Sequence, residues 1–430
     1  MSELISAPRG VYDILPDEAE QWQWLEAKLK QVIKLAAYRE IRVPIFEHTE
    51  LFKRGVGETT DIVNKEMYTF TDKSDRSMTL RPEGTAGVVR AFLSNGMHRQ
   101  TPPVKLWYCG PMFRYERTQT GRQRQFHQIG LEALGSSGPA IDAEVILIAN
   151  ECLQAAGISD YRLELNSIGC TQCRPRYKEL LKDALKDKLP SLCPDCKDRF
   201  ERNPLRMLDC KVETCRPHFV NLPSTIAELC NPCAEHFNAL QTALAQCGVT
   251  PVLNDRLVRG LDYYNRTVFE FISGDKRLGS QTTICAGGRY DYLIDTLGGS
   301  PTPAIGWAAG LERITMIATP PANSGPFVFV VASQDQSALS LVFQLRKEGI
   351  SCDMDFPPAG KPRNLGKQIE RANKAGARLA VIQAETELAS NSLTIKDMHS
   401  GTQTNIPAQE LIAFVHSKMN EQAACAAPPA

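Results

Sequence analysis

The sequence predicts a mixed α/β (α+β) protein of two or three domains, and three stretches carry that prediction. The first runs from Phe113 to Gly135 and reads as two strands joined by a polar loop. In the second strand Phe126, Gln128, Gly130 and Glu132 fall on one face, and His127, Ile129, Leu131 and Ala133 on the other. The second is a change of composition: eight of the fourteen cysteines lie between Cys170 and Cys233. The third follows a Pro-rich stretch, 319–326, after which apolar strands alternate with amphipathic helices.

Length and charge set the bounds. A chain of 430 residues with 43% hydrophobic content can build more than one core. Its formal net charge is zero, so nucleic-acid binding must come from local patches rather than a global field. Residues 1–20 lack an apolar segment behind a basic start, which argues against a signal peptide. No apolar run approaches membrane-spanning length. With no export signal, the cysteines read as reduced thiols or metal ligands rather than a disulfide framework.

In chain order, Asp17, Glu18 and Glu20 behind Pro16 suit a helix start, and Leu25, Leu29, Val32, Ile33 and Ala36 recur at helical spacing. Ile41, Val43 and Ile45 alternate as a strand, with Pro44 marking it as an edge. In Leu80-Arg81-Pro82-Glu83-Gly84-Thr85 an extended chain would point Arg81, Glu83 and Thr85 one way, although a solvated turn fits the same string. Val104, Leu106 and Tyr108 form a strand leading into the hairpin. On its first strand Arg114 and Glu116 share a face. Its loop carries Arg117, Arg122 and Arg124 with no acid, and mobile guanidiniums suit polyphosphate or RNA. Residues 141–157 are helical, and Leu163 and Leu165 begin another strand.

The Cys-rich segment holds three Cys-x-x-Cys pairs, at Cys170/Cys173, Cys193/Cys196 and Cys230/Cys233, with Cys210 and Cys215 between the last two. This spacing lets both thiolates of a pair reach one tetrahedral zinc; free, partly buried thiols are the other reading. The helix Tyr177 to Leu189 within it is amphipathic. Next come Arg259-Gly260-Leu261-Asp262-Tyr263-Tyr264, a loop entering a strand, and Ala286-Gly287-Gly288-Arg289-Tyr290-Asp291. Pro303 to Ile314 reads as a strand turning into a helix. Beyond the linker, Lys361, Arg363, Lys367, Arg371, Lys374 and Arg378 face only Glu370, either as a solvated helix face or as phosphate contacts.

Taken together and in this order, these strings resemble the class II aminoacyl-tRNA synthetases. Arg-Gly-Leu-Asp-Tyr-Tyr and Ala-Gly-Gly-Arg-Tyr-Asp match the two specific motifs of the histidyl-tRNA synthetases, bacterial type. The resemblance implies an antiparallel-sheet catalytic core over 1–169 and 250–320, an inserted domain over 170–249 and an anticodon-binding domain over 327–420; the Ala/Pro-rich tail, 421–430, reads as disordered by composition. Pro44 would mark motif 1 and a homodimer interface, Phe113 to Phe126 motif 2, and Pro303 to Ile314 motif 3.

The implied activity is ATP-dependent activation of L-histidine to histidyl-adenylate, then transfer to the 3′ end of tRNA(His), in the cytoplasm and with no membrane partner. Arg114 and Arg259 would flank the α-phosphate and the substrate carboxylate, with Mg2+ assisting. Glu83, Thr85, Gln128, Glu132, Tyr263 and Tyr264 would read histidine. Glu116, Arg122, Phe126 and Arg313 would join Arg114 in holding ATP, and Gln119 and Arg124 would approach the acceptor end of the tRNA. Zinc is not general in the family, so Zn2+ in the cysteine segment stays open. The alternatives are a non-catalytic regulatory subunit of ATP phosphoribosyltransferase, or a class II synthetase for another amino acid.

Overall fold

Period-two alternation sets the strands of this chain and helical spacing its helices, and the two meet across one large sheet. The computed structural model describes residues 5–320, 325–356 and 364–426. It divides into two compact units, Met1–Pro320 and Pro321–Ala430. The strands of the first unit are β1 Arg39–Glu40, β2 Phe46–His48, β3 Thr69–Thr71, β4 Ser77–Leu80, β5 Val104–Phe113, β6 Gln125–Leu134, β7 Tyr161–Ser167, β8 Val252–Leu253, β9 Asn265–Ser273, β10 Thr283–Arg289 and β11 Ala304–Gly310. Eight of them form one sheet in the order β1-β5-β6-β11-β10-β9-β7-β8. It is antiparallel except at its two edges, where β1 runs parallel to β5 and β8 parallel to β7. β2, β4 and β3 form a small antiparallel sheet beside it.

The helices of this unit are α1 Pro16–Leu35, α2 Thr49–Val56, α3 Thr85–Ser94, α4 Pro139–Ala155, α5 Cys173–Leu185, α6 Pro194–Arg202, α7 Asn231–Gln246, α8 Leu293–Thr296 and α9 Leu311–Ile317. One face of the large sheet is sealed by α1, α4 and α7. Trp22, Leu25, Leu29 and Ile33 of α1 meet Ile129, Leu131 and Ala133 of β6 and Phe237, Leu240 and Leu244 of α7 in one core. The opposite face carries Leu106 and Tyr108 of β5, Leu134 of β6, Val88, Val89 and Phe92 of α3, and the rings of Tyr263, Tyr264 and Tyr290. The alternation read in β6 thus separates a sealed core from a face rich in phenols and carboxylates.

A buried ionic network ties α4 to β10. Arg289 and Asp142, both without exposed side-chain surface, pair at 2.5 Å, and Asp142 also accepts from Thr267 at 2.6 Å and meets His236 at 2.9 Å. Burial opposes the Asp142 charge, but His236 and Arg289 outweigh it and hold the carboxyl below its ordinary range. Removing one partner from such a network costs about 3–5 kcal/mol, because the other charge stays buried.

Several expectations change. The strand expected at Ile41, Val43 and Ile45 is replaced by two short pieces, β1 and β2, with irregular chain between them. Arg81 explains it: its Nη1 takes the carbonyl of Val43 at 2.9 Å, which a ladder would have used. β1 is nonetheless the edge of the sheet. β5 ends at Phe113, so Arg114 and Glu116 lie beyond the strand; the Glu116 N–H turns back to the Arg114 carbonyl at 2.9 Å. Residues 81–85 are not extended, since Thr85 starts α3. α7, expected inside an insertion spanning 170–249, contributes instead to the main core. The remainder of that segment has a small core of its own, including Tyr177, Leu181, Phe200, Leu205 and Met207.

The second unit contains β12 Val328–Ala332, α10 Asp335–Lys347, β13 Cys352–Met354, α11 Leu365–Lys374, β14 Leu379–Gln383, α12 Glu385–Ser390, β15 Ser392–Asp397, β16 Gln403–Pro407 and α13 Leu411–Ala426. Its sheet runs β13-β12-β14-β15-β16, parallel on the β13 side and antiparallel from β14 onward. Of the basic residues read here, Lys361 and Arg363 lie outside the described residues. Lys367 and Lys374 are exposed, but Arg371 pairs with Asp355 and Arg378 with Asp397 at 2.6 Å. The tail expected to be disordered from 421 is helical to Ala426, as an Ala-rich extension of α13 allows; residues 427–430 lie outside the described residues.

Candidate active site

β6 runs the length of the site. At its C-terminal end Glu132 is 1% exposed. Its carboxyl accepts from Thr85 Oγ1 at 2.7 Å and from the Tyr290 hydroxyl at 2.5 Å. A Cβ on Gly306 would stand 1.8 Å from its Oε2, so the facing strand has to be bare there. Burial pushes the Glu132 carboxyl up to about 8, against the pull of the Tyr290 and Thr85 hydroxyls. Glu132 is therefore a buried acid with neutral donors and, among the described residues, no cation beside it, an arrangement that suits a cationic ligand.

Glu83 lies nearby, 4% exposed. Its two oxygens take the N–H groups of Thr85 at 2.7 Å and Ala86 at 2.8 Å, the open donors at the start of α3. Burial raises its pKa, while these N–H groups and Arg114 oppose the rise. Tyr108 fills the space over two glycines: a Cβ at Gly84 or Gly130 would meet its ring at 2.2 Å. Tyr263 packs on Tyr264 at 4.6 Å between centroids and on Tyr290 at 5.6 Å. Gln128, nearer the middle of β6, keeps Oε1 buried without a partner among the described residues. Expected Glu83, Thr85, Glu132, Tyr263 and Tyr264 are thus brought together. Tyr108 and Tyr290 belong with them and were not singled out.

At the N-terminal end of β6 the site becomes cationic. The Arg114 guanidinium lies 5.2 Å from the Phe126 ring centroid, and its Nε donates to the Pro82 carbonyl at 2.8 Å. Glu116 is paired with Arg122 and lies 3.7 Å from Arg114. Arg313 is held by the carbonyls of Gly121 at 2.9 Å and Thr283 at 2.8 Å and by Gln281 at 3.1 Å. Burial, then the neighbouring Arg122 and Arg114, pull Arg313 down to about 10. Arg313 stays a cation, buried beside two further arginines with Glu116 among them, a field that suits an anion. Glu312, one residue earlier, takes the His127 N–H at 2.8 Å and so locks α9 onto β6.

The two loop residues expected near the tRNA acceptor end both have partners within the chain. Arg124 lies 3.9 Å over the Tyr115 ring, and its N–H bonds Gly10 at 2.7 Å. Gln119 is exposed but closes a tight bridge with Arg122. Arg259 is paired with Glu270, which also accepts from Thr283 at 2.9 Å. Burial opposes the Arg259 charge, but Glu270, Tyr264 and Asp209 outweigh it and hold the guanidinium protonated. Glu270 was missed, although it stands on the strand that the Arg259 loop enters.

The likenesses to known proteins agree with this geometry. The family model described as histidyl-tRNA synthetase matches residues 10–188, and one described as anticodon binding domain matches residues 325–418. The histidine–tRNA ligase of Desulforamulus reducens is 47% identical over 423 residues, covering 96% of this chain and 100% of that protein. That of Moorella thermoacetica is 48% identical over 426 residues, covering 97% and 99%. The chain belongs to the histidyl-tRNA synthetase family. As a member it is an enzyme, a ligase. The apo histidyl-tRNA synthetase of S. aureus superposes with a TM-score of 0.80 at 33% identity, covering 96% of this chain and all of that one. A protein of Bacillus halodurans described as an ATP phosphoribosyltransferase regulatory subunit/histidyl-tRNA synthetase shares the fold alone, at 20% identity and a TM-score of 0.65. The non-catalytic alternative is therefore not favoured, nor is a synthetase for another amino acid.

Proposed function

We propose that the face of the sheet from Glu132 to Arg313 carries out both halves of histidine–tRNA ligation, with each residue in the role the motifs suggest. The chain activates L-histidine with ATP and charges tRNA. The observation that carries the residue roles is the polarity of β6: a buried, cation-seeking carboxyl at one end and three crowded arginines at the other. An amino acid and a triphosphate have that same sequence of charges.

In this reading Glu83, Thr85 and Glu132 take the α-amino group, and Gln128, Tyr263 and Tyr264 line the imidazole side. Arg114 and Arg259 hold the histidine carboxylate against the α-phosphate. The adenine stacks on Phe126 with Glu116 at its amino group, and Arg122 and Arg313 hold the outer phosphates. The carboxylate oxygen attacks phosphorus, pyrophosphate leaves, and a terminal tRNA hydroxyl then attacks the acyl carbon and releases AMP. The first step needs alignment and charge neutralisation more than a protein base. Mg2+, when bound, would neutralise charge on the phosphates, with Glu66, which lies near Arg114 and Arg122, as the carboxylate on that side. Gln119 and Arg124 would approach the acceptor end. Label exchange between pyrophosphate and ATP should depend on histidine alone among the twenty amino acids. Equal exchange with another would remove the assignment of the pocket.

Location in the cytoplasm is part of this proposal; no helix among the described residues is long and apolar enough to cross a membrane. A homodimer is also proposed, supported by an exposed apolar patch at Ile45, Phe46 and Phe70 on the small sheet. For tRNA, the second unit is the proposed anticodon-stem contact, through exposed Lys367 and Lys374. A chain ending at Pro320 should keep histidine-dependent exchange and lose most tRNA charging at moderate salt. Full charging by that shortened chain would contradict it.

A further inference from the structure

The cysteine segment holds two separate tetrads. Cys170, Cys173, Cys230 and Cys233 form one, and Cys193, Cys196, Cys210 and Cys215 the other; within each, all four sulfurs lie within 4.8 Å of one another. The resolved spacings are 3.8 Å for Cys170 to Cys173, 3.8 Å for Cys170 to Cys230 and 3.9 Å for Cys193 to Cys210. Four thiolates about 2.3 Å from one tetrahedral ion sit about 3.8 Å apart. A disulfide would need about 2.05 Å, and a cluster of several irons would spread its sulfurs further.

Backbone N–H groups also point at these sulfurs, as they do around bound thiolates. Gln172 donates to Cys170 at 3.4 Å, Cys230 to Cys173 at 3.1 Å, and Cys193 to Cys215 at 3.2 Å. Cys193 and Cys230 each stand at the N-cap of a helix, α6 and α7, where negative charge is favoured. All eight side chains are buried or half-buried, and none is in a disulfide.

We propose that this chain binds two zinc ions, one in each tetrad, and that they set the position of the loop carrying Arg259, Tyr263 and Tyr264. The first ion is a clasp. Cys170 and Cys173 lie where the chain leaves β7, Cys230 and Cys233 where it re-enters the main core on α7, so the ion closes the neck of the intervening segment. The second ion sits within that segment's small core, among Phe200, Leu205 and Met207, a core too small to hold itself without a staple. Each binding event exchanges one Zn2+ for four thiol protons, with no change of oxidation state.

The link to the loop is direct. Arg174, next to Cys173, donates to the Tyr264 carbonyl. Asn203 and Arg206, between Cys196 and Cys210, hold the Asp262 carboxylate at 3.0 Å and the Arg259 carbonyl at 3.2 Å. The functional half of the proposal rests on Arg259 and Tyr264 contacting substrate, as read above.

The test uses the full chain purified without chelator from zinc-supplemented medium. Elemental analysis should give two zinc per chain, one in Cys230→Ser/Cys233→Ser and one in Cys193→Ser/Cys196→Ser. Exchange of the wild-type protein with Co2+ should give the charge-transfer and visible bands of tetrahedral tetrathiolate cobalt, which decides the matter should the variants fail to fold. Zinc below about a tenth of an equivalent, or iron in its place, overturns the sites. Amide exchange across 256–264 should speed up roughly tenfold or more on loss of zinc; unchanged exchange overturns the coupling. Zinc and exchange as expected, with adenylation unaffected, would reject the roles of Arg259 and Tyr264 and leave the metal sites standing.

Discussion

Arg259→His should fold and bind ATP yet form histidyl-adenylate roughly 10²–10³ more slowly, the cost of removing one preorganised donor from a developing charge. The Arg259 backbone is held independently by Arg206, so the loop does not depend on the guanidinium. That group is neutralised by Glu270, and its Nε is buried without a partner among the described residues. A buried donor left open beside a cation is what an incoming carboxylate or phosphate would use. Removing the cation leaves Glu270 with Thr283 as its remaining donor, a loss of about 1–3 kcal/mol in stability. Adding Glu270→Gln should recover that stability and not the rate, which separates fold from chemistry. Single-turnover adenylation and thermal melts of both variants are the measurements. A near-normal rate in Arg259→His would make the residue structural. The double variant with Arg114 should be non-additive, if both act on one phosphate.

What could be read from the sequence follows physical period. The second strand of the hairpin and helix α1 have long runs at period 2 and 3.6, and both are found as expected, with Ile129 and Leu25 fully buried. Short-range chemistry was harder. Glu83 looks extended on paper, but Pro82 and Gly84 break the strand and the first N–H groups of α3 capture its carboxylate. Tyr290 stands in a motif but is given no role there, and Tyr108 reads only as a strand residue. The one hint is the bareness of Gly84 and Gly130, both emptied for the same ring, a pairing visible only in three dimensions. Arg124 and Arg122 read as free cations because their partners, Tyr115 and Glu116, were assigned to the strand. Cys-x-x-Cys spacing marked the metal-like segment, yet not its division into two tetrads. The Cys210/Cys215 pair is spaced differently, and Cys170 meets Cys230 across sixty residues. In the second unit α12, β15 and β16 went unread, being short, polar on one face and dependent on β14 for their register.

Glu132→Gln should raise the histidine KM by roughly 10², while making the empty enzyme more stable at alkaline pH. The amide keeps the shape and can still accept from Thr85 and donate to the Tyr290 oxygen, so packing is conserved. What it removes is the charge. Raising a buried carboxyl from its ordinary range to about 8 corresponds to something on the order of 5 kcal/mol against ionisation. The folded enzyme therefore binds one more proton than the unfolded chain between the ordinary carboxylate range and about pH 8. Stability from this site is full below that window and is lost as pH rises through it. The difference in melting temperature between Glu132→Gln and the parent should thus be near zero around pH 4 and grow in favour of the variant toward pH 8. Glu66 titrates in both proteins and cancels in that difference, whereas Glu83, whose charge adds to the rise at Glu132, loses that coupling in the variant. Bound histidine brings the missing cation, so its ammonium should hold Glu132 ionised at neutral pH. Removing one member of a buried charge pair costs about 2–5 kcal/mol in binding, which is the expected rise in KM at one factor of ten per 1.4 kcal/mol. The parent should bind histidine more tightly as pH climbs toward 8, and the variant should lose that part of the dependence. An unchanged KM together with an unchanged melting profile would mean that Glu132 is a neutral packing residue, and that the amino group is read elsewhere.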